Sequence, residues 1–116
     1  MKLEFWYAPV TDLPTALAFY RDQLGWDEAW REGDTTVSFT VPGTDVLLMV
    51  DVTDKFPPGP MFTVDSLREF QAKHGDALQW PFPPFEIPGG LLGGFADTAG
   101  NVVYVMDQST AEDTTP

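Results

Sequence analysis

A chain of 116 residues, 43% of them hydrophobic, can bury one core and is too short for two independent ones, so a single domain spanning 1–116 is expected. Its 18 acidic and 6 basic side chains leave a net charge of −12, a field that repels phosphate backbones and attracts cations, which argues against a nucleic-acid partner. Cysteine is absent, which excludes disulfides, thiolate ligands and a Cys nucleophile, and no apolar run approaches the roughly 18 residues of a membrane span, so no membrane partner is expected.

Met1-Lys2-Leu3-Glu4 lacks the basic and apolar regions of a secretory signal, and the expected location is the cytoplasm. Leu3 to Val10 reads as a strand, with Leu3, Phe5, Tyr7 and Pro9 on one face and Glu4, Trp6, Ala8 and Val10 on the other. Asp12 is placed to cap a helix that carries Leu13, Ala16, Leu17, Tyr20 and Leu24 as its buried stripe and ends at Gly25. Three strands are expected next, Trp26 to Arg31, Thr35 to Val41 and Val46 to Val50, separated by Gly33-Asp34 and Pro42-Gly43-Thr44.

After the linker Lys55-Phe56-Pro57-Pro58-Gly59 the order starts again. Pro60 to Val64 reads as a strand and Asp65 as the cap of a helix that bears Leu67, Phe70 and His74 and closes at Gly75. A shift of 54 positions lays Val10 on Val64 and Leu13 on Leu67, with the cap slipping by one residue. Modules near 1–55 and 56–108 follow, each needing the other's company to bury its apolar face. Further strands are expected at Leu78 to Trp80 or a little beyond, Gly90 to Ala96 and Val102 to Asp107. The four prolines between 81 and 88 keep that stretch out of a sheet interior, and the acidic tail 109–116 is expected to be mobile or to pack on something else. Asp97 to Asn101 reads as the tight turn of a hairpin.

Val10-Thr11-Asp12-Leu13, then Ala16 with Phe19-Tyr20, then Leu24-Gly25, and a late Asp97-Thr98-Ala99-Gly100-Asn101 before alternating apolar residues form a pattern. It resembles the vicinal oxygen chelate superfamily of glyoxalases, bleomycin-resistance proteins and extradiol dioxygenases. The resemblance implies an α+β fold in which two βαβββ modules form a cupped mixed sheet around a shared cavity. It further implies homodimers and, in catalytic members, a divalent metal held by His, Glu or Gln on the first and last strands of each module.

The motif spacing of metal-binding relatives places their ligands on Phe5, Gly59, Tyr104 and one of Met49, Val50 and Asp51; among these only Asp51 is an ordinary ligand. The expectation is therefore no metal and no cofactor. His74, the sole histidine, suits a helix C-terminus better than catalysis. If Phe5 faces the cavity, Tyr7 does too by strand alternation, and Met61, Tyr104 and Met106 follow on the partner strands. Met49, Trp30, Phe39, Trp80 and Phe82 complete the candidate ligand-binding set, with Phe85 beside them. Rings and thioethers suit a flat organic guest, which the tyrosine hydroxyls would orient. Ser38, Ser66 and Ser109 have no His or Gly-rich elbow near them, so a hydrolase triad is not expected.

The function expected is binding of a small aromatic or cationic molecule without metal, by sequestration or carriage, as in bleomycin-resistance relatives. One alternative is a glyoxalase-type lyase, isomerase or dioxygenase with metal at an atypical set containing Glu4, Asp51 or Glu86. The other is a cofactor-independent enzyme using Tyr104 or an acidic residue as general acid or base.

Overall fold

The computed structural model describes residues 1–109, so the expectation for the tail from residue 110 onward lies outside the described residues. Cα proximity divides the chain into a unit spanning Glu4–Pro60 and a second running from Met61 with Met1–Leu3. Each repeats the order β-α-β-β-β, and the fold is α+β with two βαβββ modules. Among the described residues no helix is long and apolar enough to cross a membrane.

The first module holds β1 (Lys2–Val10), α1 (Leu13–Leu17), β2 (Glu28–Glu32), β3 (Thr36–Thr40) and β4 (Leu47–Val52). Its strands lie in the order β2-β3-β4-β1, with β1 parallel to β4 and the other pairs antiparallel. Asp12 caps α1 through its carboxylate, which accepts from the Thr15 backbone N–H at 2.8 Å and the Thr15 hydroxyl at 3.0 Å. The helix does not run on to Leu24 as a uniform α-helix. After Leu17 it widens into a π-helical turn, Ala18–Gln23, in which the Leu24 N–H reaches back to the Phe19 carbonyl at 2.9 Å. This wider turn brings the Tyr20 ring within 5.5 Å of Phe39 and 5.6 Å of Trp26. Leu13 and Ala16 close the core against Val37, Phe39, Leu48 and Val50.

The second module holds β5 (Gly59–Thr63), α2 (Leu67–His74), β6 (Gln79–Ile87), β7 (Gly90–Ala96) and β8 (Val102–Met106), in the sheet order β5-β8-β7-β6. The cap of α2 is Ser66 and not Asp65: the Ser66 hydroxyl accepts from the Glu69 N–H at 3.1 Å, and Glu69 stands at the capping-box position. Ser66 lies 54 positions after Asp12, so the apparent slip between the repeats disappears. The proline-rich stretch is strand β6, on the edge of the module's sheet, where missing N–H donors cost no ladder bond; register shifts at Gln79/Phe82 and Phe82/Phe85 absorb the prolines.

A buried carboxylate fixes this module. Asp107, 1% exposed, accepts from the Leu67 N–H at 2.6 Å, the Leu91 N–H at 3.0 Å, and the Ser109 N–H and hydroxyl at 3.2 and 2.8 Å. One side chain thus ties the start of α2 and the start of β7 to the end of β8. Burial pushes its carboxyl up, but the donors from Leu67, Ser109 and Leu91 together hold it below its ordinary value of 3.8. Gly90 has no side chain because a Cβ there would collide with the Asp107 backbone carbonyl.

Candidate functional site

Each module's sheet has one face packed on its helix and one that the helix does not cover. Register assigns the side chains between them. In the first module Tyr7, Met49, Ser38 and Trp30 lie in one row across β1, β4, β3 and β2 on the helix-free face. In the second, Met61, Tyr104, Gly94 and Phe82 lie in the corresponding row across β5, β8, β7 and β6. Each row contains a tyrosine, a methionine, a small residue on the third strand and a large ring on the edge strand.

Phe5 stands on the same face of β1 as Tyr7 and meets Trp30 edge to face, with centroids 6.0 Å apart and planes at 84°. Phe82 and Tyr104 stack with centroids 6.3 Å apart and planes at 24°. Gly94 lies between their strands, and a Cβ on it would come to 3.1 Å from the Phe82 ring and 3.3 Å from the Tyr104 ring. The absent side chain is what lets the two rings meet. Burial raises the Tyr104 hydroxyl to about 12, so at neutral pH it is a neutral hydrogen-bonding phenol and not a general base.

The next row differs between the modules. In the second it carries Thr63, Met106, Leu92 and Phe85. In the first it carries Pro9, Asp51, Thr36 and the exposed Glu32, and the strand alternation that left Met49, Val50 and Asp51 open now resolves: Val50 is buried against α1, while Met49 and Asp51 are helix-free. The Asp51 carboxylate accepts from the Tyr7 hydroxyl at 2.5 Å and from the Thr36 hydroxyl at 2.7 Å.

Two of the expected ligand-binding residues stand on the other face. Phe39 is fully buried in the core of α1, and its alternation partner Ser38 takes the helix-free position. Trp80 packs under α2, edge to face with Phe70 at 6.3 Å and Phe95 at 5.6 Å. The break in register between Gln79 and Phe82 turns Phe82 outward from that core. His74 ends α2 with its ring 4.5 Å from Phe70. Phe5, Tyr7, Trp30, Met49, Met61, Phe82, Tyr104 and Met106 occupy helix-free positions.

Ser38, Thr36 and Gly94 stand on these faces although no motif in the sequence singles them out as binding residues. The strict alternation Thr36-Val37-Ser38-Phe39-Thr40 was the available signal for the first two.

A match to the family model for the glyoxalase/bleomycin resistance protein/dioxygenase superfamily extends over residues 6–105. The chain belongs to this superfamily. No curated protein matches the sequence. Similar solved structures include that of an NAD-dependent benzaldehyde dehydrogenase from Legionella pneumophila, at TM-score 0.74 and 14% identity over 89% of this chain and 96% of that one. Methylmalonyl-CoA epimerase from Mycobacterium tuberculosis follows at TM-score 0.59 and 18% identity, covering 91% of this chain and 87% of that one. A glyoxalase/bleomycin resistance protein/dioxygenase superfamily member from Vibrio splendidus 12B01 shows TM-score 0.59 and 13% identity, covering 89% and 95%. Identities this low bear on the shared fold alone.

Superfamily membership raises the question of a divalent metal, and the side chains do not fit one. The Phe5 and Gly59 side chains have no donor atom and Tyr104 is a neutral phenol, which leaves Asp51 as a single ordinary ligand where a divalent ion needs several. Glu4 shares the phase of Trp6, opposite to Phe5 and Tyr7, and Glu86 pairs with Leu91, which packs in the core of α2. Among the described residues no three His, Asp or Glu side chains come together.

Proposed function

We propose that this superfamily member binds a small, flat organic molecule on its helix-free sheet faces and sequesters or carries it. The observation that carries the reading is the recurrence, in both modules, of a row with a tyrosine, a methionine, a small residue and an edge-strand ring. Ring and thioether surface binds planar guests by area burial and stacking. The proposal includes a cytoplasmic homodimer, as short superfamily members form, and chain acidity favours cationic guests.

The test is a thermal-shift screen of planar aromatic compounds followed by titration of each stabilising compound. A ligand of the folded state raises the midpoint with concentration. Tyr104→Ala and Phe5→Ala are each expected to weaken binding at least fivefold. Unchanged affinity in both variants would refute the assignment of the face.

A further inference from the structure

Asp51 is an unusual carboxylate in this setting. It is half-buried on a face made largely of rings and thioethers, and its partners are two neutral hydroxyls, Tyr7 at 2.5 Å and Thr36 at 2.7 Å. Among the described residues no cationic side chain pairs with it, although Arg31 on β2 is engaged by Glu28 at 2.7 Å. A half-buried carboxylate without a counter-ion beside it is open to a positive charge brought from outside the chain. Each of its oxygens accepts one hydroxyl and keeps a further lone pair.

The second observation is independent of Asp51. Ser38 is 0% exposed and its hydroxyl has no hydrogen-bond partner. It stands two residues from Thr36 on β3, on the same face, and is paired across the ladder with Met49, itself two residues from Asp51 on β4. Ser38 and Asp51 are therefore diagonal neighbours, about 7–8 Å apart by sheet geometry and within reach of one ligand head group between them. A buried hydroxyl left without a partner loses about as much as a hydrogen bond is worth, so its presence at this position calls for a partner from outside the chain.

We infer that the helix-free face of the first module recognises a protonated amine, with Asp51 as the charge partner and the Ser38 hydroxyl as a second acceptor. An ammonium group offers three N–H donors and the positive charge that Asp51 lacks. Phe5 and Trp30 then hold the ring that bears the amine. The ligand class is an arylalkylamine, its nitrogen on a saturated carbon beside the ring, and the corresponding row of the second module, with Thr63, Met106, Leu92 and Phe85, has no carboxylate. The inference rests on the binding function proposed above and gives that site its chemical preference.

Three compounds with one ring system and different head groups test it: naphthylmethylamine, which is cationic at neutral pH, naphthylmethanol and naphthylacetate. Calorimetric titration of the full chain is expected to rank amine over alcohol by about tenfold or more, and alcohol over carboxylate. Asp51→Asn should bring the amine down to the alcohol's affinity, and Ser38→Ala, nearly isosteric and chosen in case the first variant fails to fold, should weaken the amine about fivefold. Binding of all three compounds without a head-group preference overturns the amine assignment and leaves the general binding function standing. Binding of none overturns both.

Discussion

The ring of Phe82 meets the ring of Tyr104 at 6.3 Å over a position where the chain has only glycine. A methyl group at Gly94 would stand 3.1 Å from Phe82, 3.1 Å from Val102 and 3.3 Å from Tyr104, so the rings must separate to admit it. Gly94→Ala is expected to cost about 1–3 kcal/mol in denaturant unfolding and to weaken ligand binding, whereas a glycine that served only chain flexibility would tolerate or gain from alanine.

Trp80 and Phe82 are two residues apart on β6 and face opposite ways. Trp80→Ala removes a ring from beneath α2 and is expected to cost about 3 kcal/mol of stability, with little change in affinity in the fraction that remains folded. Phe82→Ala is expected to do the reverse, with affinity falling and the unfolding midpoint moving less. Urea unfolding and ligand titration on the same pair of variants separate the roles.

Asp107 makes the second module sensitive to acid. Its carboxyl lies below 3.8 in the folded chain, so the stability it contributes is complete above the unfolded value and is lost as pH falls through the lower folded value. Unfolding free energy measured between about pH 5 and pH 2 should decline in the wild type and decline less in Asp107→Asn. At neutral pH that variant should already be weaker by about 1–3 kcal/mol, because the amide offers one acceptor oxygen where Leu67 and Leu91 both donate.

Ser66→Ala should cost about 1 kcal/mol by leaving the Glu69 N–H without its acceptor, and Asp65→Ala should cost little. A larger loss in Asp65→Ala than in Ser66→Ala would place the cap where sequence alone suggested it.

Most of the fold was legible because its signals are local. Period-2 and period-3.6 patterns, Gly-bearing turns and the 54-residue repeat located the strands and both helices. The turn at Asp97 forms as its sequence implies, with the carboxylate accepting from the Ala99 and Asn101 N–H groups at 2.8 Å each and Gly100 at φ 90°. The π-helical turn was not legible, because the seating of Tyr20 on Phe39 and Trp26 that accompanies it is a tertiary contact. The face each candidate side chain takes was legible where alternation runs unbroken, as on β1 and β8. It failed at Trp80, where a change of register between Gln79 and Phe82 reverses the phase, and at Phe39, which is one residue from the helix-free Ser38. Asp51 needed the parallel register of β1 on β4 before its contact with Tyr7 could be seen.

Methionine supplies the most direct measurement of the central claim that the helix-free faces hold the ligand. The chain has four methionines: Met49, Met61 and Met106 stand on those faces, and Met1 is 68% exposed at the chain start. With the methionine methyl groups labelled for NMR and naphthylmethylamine added to saturation, a ring-current shift is predicted at Met49, with Met1 unmoved. Saturable binding that leaves Met49 in place, or that moves Met1 alone, would contradict the account.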